Sequence, residues 1–279
     1  MSQLKRWQLE AETEGRPKGQ ILMTTHSDVV LSELPPAALF VMRKNLAGHA
    51  TIQQASQGGD LSRVLKHAPR SLFGRRILVC EGATELGLML GLRELYPARH
   101  GGVPIEHRGA AIIDGKGAAA PPLACALAWL GYPVAIFRDS DRRLDGRWAS
   151  ELQRFNVRVI EYGQTMNTEQ AIFHVAPDDH IDELLDVVQE FVSEPTLMDH
   201  LVQTFPNARS EQSFADWTPV SIGEAPYRER LANLAISKSW FKTEARGRDI
   251  APIVARIQER AHLSPLAQCL HSVEQWLYD

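Results

Sequence analysis

Disulfide and structural-zinc chemistry are the first things this sequence does without. Three cysteines in 279 residues, Cys80, Cys125 and Cys269, are too few and too scattered for a disulfide framework or a zinc knuckle, and they fit a reduced, cytoplasmic compartment. No apolar run approaches the ~20 residues that a membrane helix needs. The start, Met1-Ser2-Gln3-Leu4-Lys5-Arg6, lacks the apolar core of a signal peptide, so no membrane partner is expected. An excess of one charge is missing too. With 30 basic and 34 acidic residues the net charge is −4, which gives no global electrostatic case for nucleic acid; any such contact must come from a local basic patch. The ten histidines show no metal-helix spacing. Nor is there a G-x-x-x-x-G-K-[ST] phosphate loop. Gly115-Lys116-Gly117 lacks both the glycine five residues earlier and the hydroxyl after the lysine, so this chain alone is not expected to bind or hydrolyse ATP. Internal repeats and low-complexity tracts are absent. Hydrophobic content of 44% and charged content of 23% are those of a globular protein.

What is present is concentrated in two stretches. Ile77-Leu78-Val79-Cys80-Glu81-Gly82-Ala83-Thr84-Glu85 and Val134-Ala135-Ile136-Phe137-Arg138-Asp139-Ser140-Asp141 each begin as a short apolar run, the pattern of a strand buried on both faces. Each ends in acid, and ligands of open α/β sheets bind just past the C-terminal ends of the strands. Glu81 is expected at the strand end, Gly82 in the turn, and Glu85 one helical turn on, on the same side of the following helix. Asp139 and Asp141, two apart in extended chain, point the same way. Acids at strand ends also arise because loops are polar, and one Asp-x-Asp alone says little. Two such motifs separated by a βα unit say more. Four carboxylates in one small volume repel one another unless a cation is present, which outlines a divalent-metal site.

In chain order, residues 1–15 read as a helix and residues 19–27 as a buried strand ending in a polar cluster. A helical turn over 29–34 stops at Pro35-Pro36, and strands follow over 39–43 and 48–54. From Arg75 the pattern is β-α-β-α-β-α-β: strands at 77–80, 110–114, 133–138 and 157–161, with helices at 84–95, 123–130 and 148–155 between them. This alternation argues for a parallel sheet. After Tyr162-Gly163 the strands stop, and helices are expected over 167–174, 180–191, 195–205, 227–236, 250–260 and 265–279. Residues 206–226 read as a polar connection.

Gln20-Ile21-Leu22-Met23-Thr24-Thr25-His26-Ser27 resembles the last core strand and switch-histidine loop of ABC-type ATPases. Residues 1–70 therefore look like the trailing edge of an ATPase domain, with His26 more a relic than a catalyst. The four-stranded α/β unit with E-G-x-x-E and D-x-D resembles a Toprim domain. The order of the two parts, with Leu72-Phe73-Gly74-Arg75-Arg76 leading into the first motif, resembles the C-terminal half of an OLD-family nuclease (overcoming lysogenisation defect), a group that includes Gabija-type anti-phage nucleases. The expected architecture is α/β, with an ATPase-remnant segment at 1–70, a Toprim-like parallel sheet flanked by helices at 71–175, and a helical C-terminal addition at 176–279.

The resemblance implies roles. Glu81 and Glu85 match the first acidic pair and Asp139 and Asp141 the second. Glu169 resembles a later acid completing a second metal site, although Asn167 stands where the family often has Ser. Lys242 matches a lysine that stabilises charge at the scissile phosphate. Hard oxygen ligands suit Mg²⁺ or Mn²⁺, and two such ions about 4 Å apart can drive an in-line phosphodiester hydrolysis. DNA is expected to be held through its phosphates, with Arg142, Arg143 and Arg147 beside the acids and Lys238, Lys242, Arg246 and Arg248 opposite, while Lys116, in the glycine turn after the second strand, either touches a phosphate or caps the loop. Further expected partners are a missing ATPase half or a helicase, and a homodimer is possible through the apolar C-terminal helices. The rival reading is a non-catalytic Toprim module for DNA binding or assembly.

Overall fold

The computed structural model describes residues 2–17, 19, 21–44, 48–55, 61–163, 165–209, 213–217 and 224–279. Its first elements are helix α1 (Ser2–Thr13) and the short α2 (Asp28–Ser32), which opens on Ser27 as N-cap, its hydroxyl accepting from the Val30 N–H. Between them the expected buried strand is not formed. Gln20 lies outside the described residues, and 21–27 run as irregular chain with Ile21, Leu22 and Met23 exposed, Leu22 to 83%. An apolar run becomes a strand only when neighbours complete its main-chain hydrogen bonds, and no described strand pairs with this one. The expected pair that follows does form: β1 (Phe40–Lys44) and β2 (Ala50–Gln54) pair antiparallel, Met42 opposite Ile52. Helix α3 (Leu61–His67) leads into the sheet.

The sheet is built from β3 (Arg76–Cys80), α4 (Ala83–Leu95), β4 (Ala110–Asp114), α5 (Ala120–Trp129), β5 (Val134–Arg138), α6 (Gly146–Arg154) and β6 (Arg158–Glu161), with all four strands parallel in the order β4-β3-β5-β6. β3 and β5 are central, which is why they read as unbroken apolar runs. Successive side chains alternate between two cores. Ile77, Val79, Val134 and Ile136 face α5, α6 and α3, sharing a core with Leu31, Leu61 and Leu65. Leu78, Cys80, Ala135 and Phe137 face α4 and the C-terminal helices. Burying each such side chain contributes about 1.5–3 kcal/mol. Described residues on both sides of position 70 therefore share one core.

The C-terminal part is helical: α7 (Thr168–Val175), α8 (Asp178–Gln189), α9 (Glu194–Thr204), α10 (Phe214–Trp217), α11 (Glu224–Ser237), α12 (Glu244–Asp249), α13 (Ala251–Arg260) and α14 (Pro265–Tyr278). The polar connection expected over 206–226 lies partly outside the described residues and contains α10. Helix α12 was not read from the sequence. It lies against α4 so closely that side chains are excluded at the contact: a Cβ on Gly87 would fall 2.0 Å from the Glu244 carbonyl oxygen, and one on Gly247 would fall 2.6 Å from that of Thr84. Among the described residues no helix is long and apolar enough to cross a membrane.

Candidate functional site

The C-terminal ends of β3 and β5 are stitched together before any side chain is considered. The Glu81 N–H donates to the Phe137 carbonyl (2.8 Å), and the Gly117 N–H folds the turn after β4 back onto the Glu81 carbonyl (2.6 Å). Gly115 permits that turn, since a Cβ there would fall 2.7 Å from the Cys80 carbonyl oxygen. The loop after β5 is latched to the run before α7 through Ser140, whose N–H donates to the Met166 carbonyl (2.9 Å) and whose hydroxyl accepts from the Met166 N–H (2.9 Å). A capping box then fixes the start of α7: Asn167 Oδ1 accepts from the Gln170 N–H (2.9 Å) and the Asn167 N–H donates to Gln170 Oε1 (3.1 Å). The Asn167 amide oxygen is thus used in capping the helix.

This framework brings the acids of three segments together. Glu85 is buried on α4, Glu169 is wholly buried in the first turn of α7, and Asp139 is half-buried between them. Thr168 Oγ1 lies 2.6 Å from Glu85 Oε1 and 3.1 Å from Asp139 Oδ1. Glu81 faces Arg138, with Oε2 3.3 Å from Nε. Asp141 sits exposed at the rim, near enough to add repulsion at Glu81 and Asp139. Lys242 comes from the turn between α11 and α12, not from a helix, and its Nζ lies 3.4 Å from Glu169 Oε1. That is ion-pair distance without hydrogen-bond geometry, and neither Glu169 oxygen has a hydrogen-bond partner among the described residues.

The electrostatics follow from burial and like charge. Burial, then the Glu85, Glu169 and Asp141 charges, raise Asp139 to about 8, against the pull of the Thr168 hydrogen bond. Burial likewise raises Glu169 despite Lys242, and Glu81 despite Arg138. Burial would lower Lys242, but Glu169, Asp139 and Glu85 outweigh it and hold the ammonium above its usual value.

Two residues that matter here escaped the sequence reading. Arg138 is buried at the end of β5, with Nη1 donating to Glu161 (2.7 Å), Nη2 to the Arg142 carbonyl (2.7 Å) and Nε beside Glu81. The one available signal was an arginine ending an otherwise apolar buried strand. Thr168 gave no signal, being a polar residue at a helix start, where polar residues are common.

The expected basic patches divide. Arg142, Arg143 and Lys238 are exposed. Arg147 is exposed too, its guanidinium 5.1 Å from the Trp148 ring centre. Lys116 is paired with Asp114 (2.5 Å), Arg248 with Glu94, and Arg246 lies over the Phe191 ring at 3.8 Å while donating to the Ser239 carbonyl. For these three the nearest counter-group belongs to the protein itself. The His26 and Phe73 rings lie with their centroids 6.0 Å apart.

Among the described residues no three His, Cys, Asp or Glu side chains are gathered closely enough to hold a metal ion. The acids are instead partnered by protein groups: Glu81 by Arg138, Glu85 and Asp139 by Thr168, Glu169 by Lys242. The donor chemistry nonetheless suits a hard divalent cation, because every group is a carboxylate, three have raised pKa values, and Glu169 keeps both buried oxygens free of hydrogen bonds. Residues 72–141 match a family model described as overcoming lysogenization defect protein-like, TOPRIM domain. The match covers Glu81, Glu85, Asp139 and Asp141 and ends before Glu169 and Lys242. No curated protein matches the chain.

Proposed function

We propose, from the premise that residues 72–141 are an OLD-like Toprim domain, a module type that acts on nucleic acids, that this chain is a divalent-cation-dependent DNA endonuclease. The observation that carries the reading is that Thr168 Oγ1 lies within 3.1 Å of both the buried Glu85 and the half-buried Asp139, while the neighbouring buried Glu169 is faced by the ammonium of Lys242. A pure binding surface for DNA has no use for negative charge at a phosphate. A hydrolase that loads cations does. Glu81, Glu85, Asp139, Asp141 and Glu169 would hold Mg²⁺ or Mn²⁺, two ions in this reading. When bound, these supply Lewis acidity toward the phosphodiester.

The chain's own contributions are distinct from the cations. Lys242, held above its usual pKa by the surrounding acids, stays charged at neutral pH. It adds fixed positive charge where a phosphate in displacement gathers negative charge. Arg138 neutralises Glu81 from behind and anchors the Arg142 carbonyl, which fixes the loop carrying Asp139 and Asp141. Arg142 and Arg143, exposed on that loop, would meet DNA phosphates in this reading. The test is conversion of supercoiled plasmid in EDTA, Mg²⁺ or Mn²⁺, with Glu81→Ala in parallel. Nicked or linear product is expected only with a divalent cation and only from the wild type. DNA binding without conversion, unchanged by Glu81→Ala, would instead establish a non-catalytic binding module.

A further inference from the structure

We propose that Thr168 is the positioning residue that sets Glu85 and Asp139 as a pair, so that its hydroxyl, and not the acids alone, defines where a divalent cation is received. The inference rests on the reading that these two carboxylates are cation ligands.

Glu85 belongs to α4 and Asp139 to the loop after β5, and no described hydrogen bond joins them to each other. Left alone, two carboxylates of like charge turn apart towards water. Here they turn towards one oxygen, Thr168 Oγ1, at 2.6 and 3.1 Å, with the Tyr162 hydroxyl a third neighbour at 3.3 Å. Thr168 is itself wholly buried and stands directly after the capping-box residue Asn167, so its backbone is fixed from both sides. Tyr162, also buried, is wedged edge-on against Phe137 of β5, which immobilises the far side of the group.

A hydroxyl has one proton and two lone pairs. It can donate to Glu85, the nearest acceptor, and still accept from a neighbour, which a methyl group cannot do. The geometry requires Thr or Ser at this position. Valine keeps Thr's shape and removes the hydroxyl that both acids share. Serine keeps that group and removes a methyl. The two substitutions therefore separate a positioning hydroxyl from mere packing. Thr168 touches neither substrate nor reacting atoms and is not a catalytic residue; it acts through the two carboxylates.

The experiment is calorimetric titration of Mn²⁺ alone into the full chain, wild type beside Thr168→Val and Thr168→Ser, with melting temperatures for each and for Glu85→Gln and Thr168→Val/Glu85→Gln. Thr168→Val is expected to weaken Mn²⁺ binding at least tenfold, Thr168→Ser less than threefold, and the Val and Gln substitutions to shift the melting temperature non-additively. Equal Mn²⁺ affinity in wild type and Thr168→Val overturns the proposal, as does equal loss in Thr168→Ser and Thr168→Val. If the wild type binds no Mn²⁺, the cation reading fails by itself. The melting temperatures then decide whether Thr168 couples to Glu85, and additive shifts overturn the positioning role.

Discussion

At the scale of single residues, Asp139 is where the competing demands of the site are sharpest. Its carboxyl is raised from 3.8 to about 8 by burial and by Glu85, Glu169 and Asp141. The folded state therefore holds that proton more tightly than the unfolded chain does. Between pH ~4 and ~8 the native protein binds the extra proton, so in chelator its stability falls as pH rises through this window. Asp139→Asn removes the titration and the repulsion together. Its melting temperature is expected to match or exceed that of the wild type at pH 8 and to change less between pH 5 and 8, while the proposed metal-dependent cleavage is lost. Melting curves in EDTA across that range check the first part and the plasmid assay the second. A wild-type melting temperature that climbs from pH 5 to 8 while that of Asp139→Asn does not would refute the assigned sign.

Among elements, the decisive contact is α4 against α12. Thr84 in the first turn of α4 donates to the Phe241 carbonyl at 2.9 Å, and this bond, together with the glycine contact, carries Lys242 to the acids. Gly247→Ala places a methyl 2.6 Å from the Thr84 carbonyl, an overpacking that costs about 1–3 kcal/mol. It is expected to lower the urea midpoint and reduce cleavage more than it weakens Mn²⁺ binding, since Lys242 moves and the carboxylates stay. The same contact shows what the sequence made legible. β3 and β5 could be read because central strands bury every residue and so become apolar runs. Glu81, Glu85, Asp139 and Asp141 followed because strand ends fix where the next residues go. Helix α12 could not be read, because Gly87, Gly91 and Gly247 act only once two distant segments meet. Thr168 and Arg138 stayed hidden for a related reason: their partners come from other elements. Residues 21–27 failed in the opposite sense, apolar enough for a strand but without a described neighbour to pair with.

For the whole molecule, the distribution of exposed apolar surface is uneven. Among the described residues, Trp7, Leu9, Leu22, Met23, Val29, Phe40, Met42 and Ile52 are all exposed, whereas few large apolar side chains beyond residue 74 are. On the hairpin, Phe40, Met42 and Ile52 face outward while Val41 packs on the core. Such a patch promotes self-association. The triple substitution Phe40→Thr, Met42→Thr, Ile52→Thr is expected to lower light scattering at high protein concentration and to leave Mn²⁺ affinity unchanged. Reduced affinity would mean that the hairpin and the acidic centre are coupled. The long reach from Thr84 to Phe241, 157 residues apart in sequence, also has a consequence in time. At the ~5–20 residues per second of protein synthesis, a growing chain carries its first acidic pair for on the order of ten to thirty seconds before the segment bearing the facing lysine has been made. The centre is thus completed only after its acids already exist on the nascent chain.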